Sequence, residues 1–367
     1  MGKFSVDRNI AKAKTIHTDF YTDNEVYLAT KEKIFASSMF FIGHTDEFPE
    51  DDYAVPFFDA IFSEPLFTVR KATDHFECFS NVCTHRGNIL VNEPGKLKAL
   101  RCGYHGRTFD LEGKMLLMPE FKEVENFPCP NDDLTKLPVF QWGKLLFSSL
   151  RKEVNPKMFF QEMMERVAFF QMDKVTFRSD LSKTYTIDAN WALYCENYLE
   201  GFHIPFVHPE LSKVLDYADY ETEIYYPYSS LQLGVAKKGD VCFDLPKTAQ
   251  DYGRNIAAYY FWVFPNLMFN FYPWGLSLNI VEPIACGKTK VRFLTFMLDE
   301  TKYNQGAGAN LDKVEMEDEA IVNNVQKGVR SRFYNQGRYS VTKEKGTHHF
   351  HTLLSDFVEG VDPEKAQ

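Results

Sequence analysis

Cysteine is scarce in this chain, basic residues are outnumbered, and no apolar run is clean enough to cross a membrane. The 367 residues include seven cysteines, an odd number at irregular spacings, which excludes a disulfide framework and fits a reducing cytoplasm. Cys78, Cys129, Cys195, Cys242 and Cys286 read as small buried residues. Lysine and arginine total 41 against 51 acidic residues, and the net charge of −10 argues against a nucleic-acid partner. From Met1 to Arg8 there is no apolar core or cleavage site, so no secretory signal is expected. The most apolar stretch, Ala257 to Leu278, is interrupted by Pro265, Asn266, Asn270 and Pro273. Two buried strands joined at Pro265-Asn266 suit it better than a membrane helix, so no membrane partner is expected. A glycine-rich dinucleotide fingerprint is also missing. Tyr303 to Asn310 comes nearest, but it lacks a third glycine and a flanking strand and is expected to be a surface loop. These features describe a soluble cytoplasmic chain with room for two or three domains and an ordinary hydrophobic content of 44%.

What the chain does have is concentrated in two short segments, Cys83-Thr84-His85 and Cys102-Gly103-Tyr104-His105. Each offers one thiolate and one imidazole. Zinc-finger spacing instead pairs cysteine with cysteine and histidine with histidine. One thiol and one imidazole per loop suit a Rieske [2Fe-2S] centre, in which one iron takes two cysteines and the other two histidines. Arg86-Gly87 follows the first pair and Gly106 the second, so both loops can turn tightly around a buried cluster. Neither loop holds a further cysteine, so no disulfide can tie them together. Such a centre moves single electrons.

Residues 36–152 read as a β-rich domain around these loops. Strands are expected at 66–70, 76–79, 97–101 and 145–148, with a turn at Asn92 to Gly95. After Val154-Asn155-Pro156 the pattern changes to helices at about 156–167, 190–203 and 311–333, with long aromatic strands between them. This mixture predicts an α+β domain over 153–367, with residues 1–35 packed on it.

A second metal site is expected in that domain. Glu200 and His203 lie three apart, placed by the pattern on one face of helix 190–203. Pro205 would break the helix and let His208 swing back toward His203. Two imidazoles and one carboxylate make the facial triad of non-haem iron(II), with open positions for oxygen. Leu311, Val314, Ile321 and Val325 form an apolar stripe with Asp318 in its middle, which nominates Asp318 as the third ligand. Glu315, Glu317 and Glu319 fall off that stripe and are expected in solvent. The tract His348-His349-Phe350-His351 is assigned to a surface or interface rather than to a metal.

Over nearly its whole length the chain resembles the catalytic α subunits of the Rieske non-haem iron oxygenases. The likeness rests on both cluster loops, the segment Asn190-Trp191 to His208, and the Asp318 helix running into Gln326-Lys327-Gly328. It implies an all-β Rieske domain plus a helix-grip catalytic domain. It implies Cys83, His85, Cys102 and His105 as cluster ligands and His203, His208 and Asp318 as ligands of a mononuclear Fe(2+). Asn197 and Glu200 are the catalytic candidates beside them. Glu200 stands where the family usually has a bridging aspartate, and it would link a neighbouring subunit's cluster to this iron in a homotrimer or higher ring. Glutamate there is similar to the choline- and carnitine-type monooxygenases. Tyr259, Tyr260, Trp262, Phe269, Tyr272 and Trp274 could then cage a quaternary ammonium substrate, although they fit an ordinary strand core equally well. The implied partners are O₂, a small organic substrate and an NAD(P)H-dependent reductase, of ferredoxin type or otherwise. Two other readings stay open: an aromatic-ring dioxygenase, with or without a β subunit, and a non-catalytic electron carrier.

Overall fold

The computed structural model describes residues 2–364, so Met1 and residues 365–367 of the expected domain ranges lie outside the described residues. The chain divides into two compact units, residues 36–154 and residues 1–35 with 155–367.

Short apolar runs, several of them buried along most of their length, make the smaller unit. Its strands are β1 (Phe40–His44), β2 (Tyr53–Asp59), β3 (Glu64–Lys71), β4 (His75–Ser80), β5 (Gly95–Lys96), β6 (Leu100–Arg101), β7 (Thr108–Phe109), β8 (Met115–Leu117), β9 (Lys136–Leu137), β10 (Val139–Trp142) and β11 (Leu145–Ser148). They form sheets in the orders β5-β2-β3-β4-β9, β1-β11-β10 and β6-β7-β8. Of the strand expected at 97–101 only Leu100–Arg101 pairs. Cys83 and Cys102 are buried in one core with Phe67, Phe79 and Phe109, which anchors both cluster loops.

The larger unit begins with α1 (Asp19–Thr22), α2 (Asn24–Lys33) and α3 (Lys157–Arg166). Its sheet is built from β12 (Thr176–Phe177), β13 (Lys183–Ile187), β14 (Glu221–Tyr225), β15 (Ser229–Val235), β16 (Ile256–Val263), β17 (Leu267–Tyr272), β18 (Gly275–Ala285) and β19 (Lys288–Met297). All pairings are antiparallel, in the order β12-β19-β18-β17-β16-β15-β14, with β13 also on β19. The helices are completed by α4 (Trp191–Tyr198), α5 (Ile204–Val207), α6 (Leu211–Val214), α7 (Leu311–Gly328) and α8 (Lys345–Glu359). The expected strand pair in the apolar stretch is present as β16 and β17, joined at Pro265-Asn266. Among the described residues no helix is long and apolar enough to cross a membrane.

Strand alternation sorts the aromatic side chains onto two faces. Phe269 and Phe271 point to Phe160 of α3 and to Phe170, and Tyr259 to Phe169 and Phe243. On the opposite face Trp262 meets Phe350 of α8, Phe350 meets Trp191 of α4, and Trp191 meets Phe35, with ring centroids 5.3, 5.7 and 4.8 Å apart. This chain of rings seats α4 and α8 beside the sheet.

Several expectations change here. The helix expected at 190–203 stops at Tyr198, because Glu200, Gly201 and Phe202 form a turn, and the helix expected to run to 333 stops at Gly328. His349 and His351 are buried in α8, not at a surface. His351 lies 2.9 Å from Glu196 and also meets Tyr21 and Tyr339, polar partners that pay for its burial. Ala307 and Gly308 are buried against Tyr272 and Trp274, so the loop at 303–310 is partly a wall of the fold. Cys129, Cys242 and Cys286 are only half-buried, whereas burial pushes the thiol of Cys78 up to about 12.

Gly346 marks how closely α8 approaches the end of α4. A Cβ there would sit 2.3 Å from the Leu199 carbonyl oxygen. Gly346→Ala is therefore expected to cost about 1–3 kcal/mol of stability, read as a lower denaturant midpoint at unchanged slope.

Candidate metal centres and cavity

The two cluster loops fold alike. In the first, Cys83 N–H donates to the Asn88 carbonyl at 2.8 Å and Gly87 N–H to the Cys83 carbonyl at 3.0 Å. In the second, Cys102 N–H donates to the Arg107 carbonyl at 2.8 Å and Gly106 N–H to the Cys102 carbonyl at 3.1 Å. Gly87 and Gly106 have φ of 74° and 75°, a left-handed turn at the same place in each loop that favours glycine. The result presents His85 and His105 side by side, ring centroids 4.8 Å apart, above two buried thiols.

A third segment clamps both loops. Thr84 Oγ1 donates to the Asp132 carbonyl at 2.7 Å, and the buried Arg107 guanidinium pairs with the Asp132 carboxylate at 2.6 Å. Asn88 Nδ2 lies 3.7 Å from Cys102 Sγ. Sequence reading missed Asn88, Arg107 and Asp132; the position of Arg107 directly after Gly106 was in the sequence, but its burial is seen only in the fold. Burial opposes ionisation of both thiols. It prevails at Cys83, whose pKa is raised, whereas at Cys102 the backbone N–H groups of Tyr104 and His105 outweigh it and the pKa is lowered. His105 Nδ1 is buried without a hydrogen-bond partner. Two thiols and two imidazoles with such an orphaned nitrogen fit a cluster held by Cys83, His85, Cys102 and His105.

The second centre is built by a turn and two helices. Asn190 caps α4, its side chain accepting from Ala192 N–H at 3.0 Å, while its own N–H donates to Gln326 Oε1 on α7 at 2.6 Å. Beyond Tyr198 the Glu200 carboxylate accepts from the N–H groups of Phe202 and His203 and lies 2.7 Å from His203 Nδ1. His203 and His208 then flank the single turn of α5, so Pro205 lies in a helical first turn instead of ending the preceding helix. Their ring centroids are 5.1 Å apart.

Asp318 comes to them from α7. Its Oδ1 lies 3.0 Å from His208 Nε2 and 3.6 Å from His203 Nε2, and Asn197 Nδ2 donates to the same oxygen at 2.6 Å. One ligand atom from each of His203, His208 and Asp318 lies within 4.8 Å of the others, a donor set that could hold a metal ion. His208 Nδ1 lies 2.8 Å from Glu317 Oε2. Burial of His208 works against its protonation, but Asp318 and Glu317 outweigh it and raise the pKa.

The packed face of α7 differs from the expected stripe. Ile321 and Val325 are exposed, while Glu315, Val322 and Gln326 are buried. Glu315 receives the Tyr194 hydroxyl at 2.6 Å, and Glu317 is the His208 partner, so neither is simply solvated. Burial pushes the Glu315 acid up to about 8, with the Tyr194 hydrogen bond pulling it down and Asp318 and Glu319 pushing it further up. The helix keeps its 3.6-residue period but turns a polar face inward, because it faces a cleft of hydrogen-bonding groups rather than an apolar core.

A cavity of about 120 Å³ opens on the three ligand candidates. One row of the sheet crosses its wall: Gln232, Tyr260, Asn270 and Ser277 are paired in register on β15 to β18. Of the six aromatic residues nominated for a cage, Tyr260 and Tyr272 line the cavity and Trp274 lines an adjoining one. Tyr259 and Phe269 point to the other face of the sheet, and Trp262 packs on α8. Tyr194, Tyr198, Tyr220 and Phe293 also line it and were missed. Polar residues set inside apolar strands, Gln232, Asn270, and Ser277 with Asn279 at period two, were the signal for this face.

Comparison with known proteins places these features. Residues 38–128 match the Rieske [2Fe-2S] domain, and residues 174–360, about half the chain, match the ring hydroxylating alpha subunit (catalytic domain). The chain is 30% identical to the chloroplastic choline monooxygenase of Arabidopsis thaliana over 94% of its length and 83% of that protein. It is 27% identical to the carnitine monooxygenase oxygenase subunit of Escherichia coli K12, over 95% and 94% of the two chains. The fold is similar to the crystal structure of a quaternary ammonium Rieske monooxygenase described for carnitine oxidation and inter-subunit electron transfer, with a TM-score of 0.75 at 23% identity over 96% of this chain and 100% of that one. It is also similar to naphthalene 1,2-dioxygenase from Rhodococcus sp., with a TM-score of 0.70 at 17% identity over 94% and 93% of the chains. Sharing a Rieske domain and a ring-hydroxylating catalytic domain with these relatives, the chain belongs to the Rieske non-haem iron oxygenases, whose cofactors are a [2Fe-2S] cluster and a mononuclear iron.

Proposed function

We propose that this chain is the oxygenase component of a multicomponent monooxygenase that oxidises a quaternary ammonium compound, with electrons drawn from a separate NAD(P)H-dependent reductase. The observation that carries the reading is the convergence of His203, His208 and Asp318 on an aromatic-walled cavity. Relatives named as choline monooxygenase and as a carnitine monooxygenase oxygenase subunit support both the substrate class and the separate electron source.

In this reading Cys83, His85, Cys102 and His105 hold the cluster, and His203, His208 and Asp318 hold the iron. When bound, the cluster supplies single electrons and the iron supplies the oxygen chemistry. Each turnover takes O₂, two electrons and two protons, placing one oxygen atom in a substrate C–H bond and releasing the other as water. The protein's own groups position the parts. Glu317 fixes the ring orientation of His208, Asn197 holds the Asp318 carboxylate, and Glu200 fixes His203 from its Nδ1 side. The aromatic rings of the wall face the substrate cation.

Glu200 is also the proposed link to a cluster histidine of a neighbouring subunit. Exposed apolar residues around the site support an assembly of copies, as a trimer or larger ring: Phe206 is 79% exposed and Met316 67%.

Oxygen uptake with an added reductase and NADH tests the function. Uptake coupled to product formation is expected for quaternary ammonium compounds and absent for simple aromatic acids. Iron analysis is expected to find about three atoms per chain, two in the cluster and one in the triad, whereas a pure electron carrier would hold about two. Glu200→Ala is expected to keep the cluster and, with iron restored to full occupancy, to lose turnover about 10–100-fold or more; unchanged turnover would remove Glu200 from the electron path. Glu317→Gln is expected to weaken ferrous iron binding about 10–100-fold in chelator competition, with the cluster spectrum unaltered.

A further inference from the structure

The sheet side of the cavity carries three side-chain amides, Gln232, Asn270 and Asn279, and the fold uses both ends of two of them. Gln232 donates from Nε2 to the Tyr198 carbonyl, and its Oε1 accepts the Tyr220 hydroxyl at 3.3 Å. Asn270 donates from Nδ2 to the Ser277 carbonyl at 3.1 Å, and its Oδ1 accepts the Tyr198 hydroxyl at 2.9 Å. Asn279 differs. Ser277 Oγ donates to its Oδ1 at 2.8 Å, but among the described residues its Nδ2 meets no acceptor. Two residues apart on β18, Ser277 and Asn279 point to the same face, and Asn279 stands opposite Phe293 of β19, another wall residue. Asn279 is 7% exposed and lines the cavity.

An amide N–H₂ group taken largely out of water without an acceptor is costly, and an apolar side chain of similar size would avoid the cost. A guest that brings an acceptor oxygen removes it. Ser277 supplies direction, because a hydroxyl held on Oδ1 turns the amide nitrogen to the opposite side. The neighbouring donors are already engaged. Tyr194 gives its proton to Glu315, Tyr198 to Asn270, Tyr220 to Gln232, and Asn197 donates to Asp318. The hydroxyls of Tyr260 and Tyr272 bond each other. An iron held by the triad would be the other centre in the cavity that attracts an oxygen.

We propose that Asn279, set by Ser277, holds an acceptor oxygen of the substrate, a hydroxyl or a carbonyl, and so fixes how the guest lies relative to the triad. This rests on the quaternary ammonium reading of the preceding section and adds the residue that reads the uncharged part of the guest. Asn279 is a specificity residue and takes no part in holding either metal.

Calorimetric titration of the metal-loaded protein under anaerobic conditions tests it with two isosteric cations. One is acetonyltrimethylammonium; the other is its 2-methylallyl counterpart, in which a methylene group replaces the carbonyl oxygen. They share charge and shape, so attraction of the cation to the aromatic wall cancels in the ratio of their affinities. Wild type is expected to bind the ketone about fivefold or more tightly than the alkene. Asn279→Leu, with iron content and cluster spectrum intact, is expected to bring the two within about twofold, by weakening the ketone. Asn279→Ala, which leaves space instead of an apolar chain, is expected to do the same. Ser277→Ala keeps the amide but frees it to turn, and a smaller loss of preference is expected. Equal binding of the two cations by wild type overturns the proposal, a result that needs no variant to fold. A preference that survives in the Asn279 variants assigns the oxygen to the iron or to the Tyr260–Tyr272 pair and overturns it as well. If wild type binds neither cation, the substrate class of the preceding section fails, and the Asn279 proposal fails with it.

Discussion

Asp318 Oδ1 receives the amide of Asn197 at 2.6 Å and stands 3.0 Å from His208 Nε2, and the catalytic unit is arranged around that oxygen. A carboxylate on a helix face turned inward is unfavourable unless paired or metal-bound. The bond to Asn197 therefore aims it, and α4 must be placed well enough to deliver the amide. Placement of α4 comes from Trp191 in the ring chain with Phe35 and Phe350, and from Asn190, which caps the helix and donates to Gln326 of α7. The scaffold thus reaches the ligand set through a few directed contacts, and packing of large rings keeps those contacts in register.

Polar groups at the site are divided among distinct partners. Glu200 serves His203, Glu317 serves His208, Asn197 serves Asp318, and Tyr194 serves Glu315. Three carboxylates within four residues of α7 would repel one another in an apolar core. Here each faces its own donor, and the open cavity lies between them and the sheet. On the sheet side, alternation gives one face of phenylalanines to α3 and the other to Gln232, Tyr260, Asn270 and Ser277. The same strands build a core and a binding wall because their side chains alternate.

Asp318 was nominated only from the apolar stripe on α7; the cluster loops, the strand pair at Pro265-Asn266 and the pair His203 and His208 were visible as local patterns, since each depends on residue type at short spacing. The phase of α7 was not. Its apolar residues Ile321 and Val325 proposed one inward face, and the fold uses another, with Glu315, Val322 and Gln326 buried. Periodicity reports that a helix is amphipathic but not whether its partner surface is oily or hydrogen-bonding. The burial of His351 was hidden for a related reason: its partners Tyr21 and Glu196 come from distant segments.

By itself the sequence determined the chemistry available: two thiol-and-imidazole loops, two histidines flanking Pro205, and an acid at Asp318, all specified by side-chain type and local spacing. The tertiary structure alone decided how the acid meets the histidines, which aromatic rings face the cavity, and that Glu315 is buried on the packed face of α7. Those outcomes depend on the rotation of α7 and on which face of the sheet meets α4, and both are set by contacts between residues far apart in the chain.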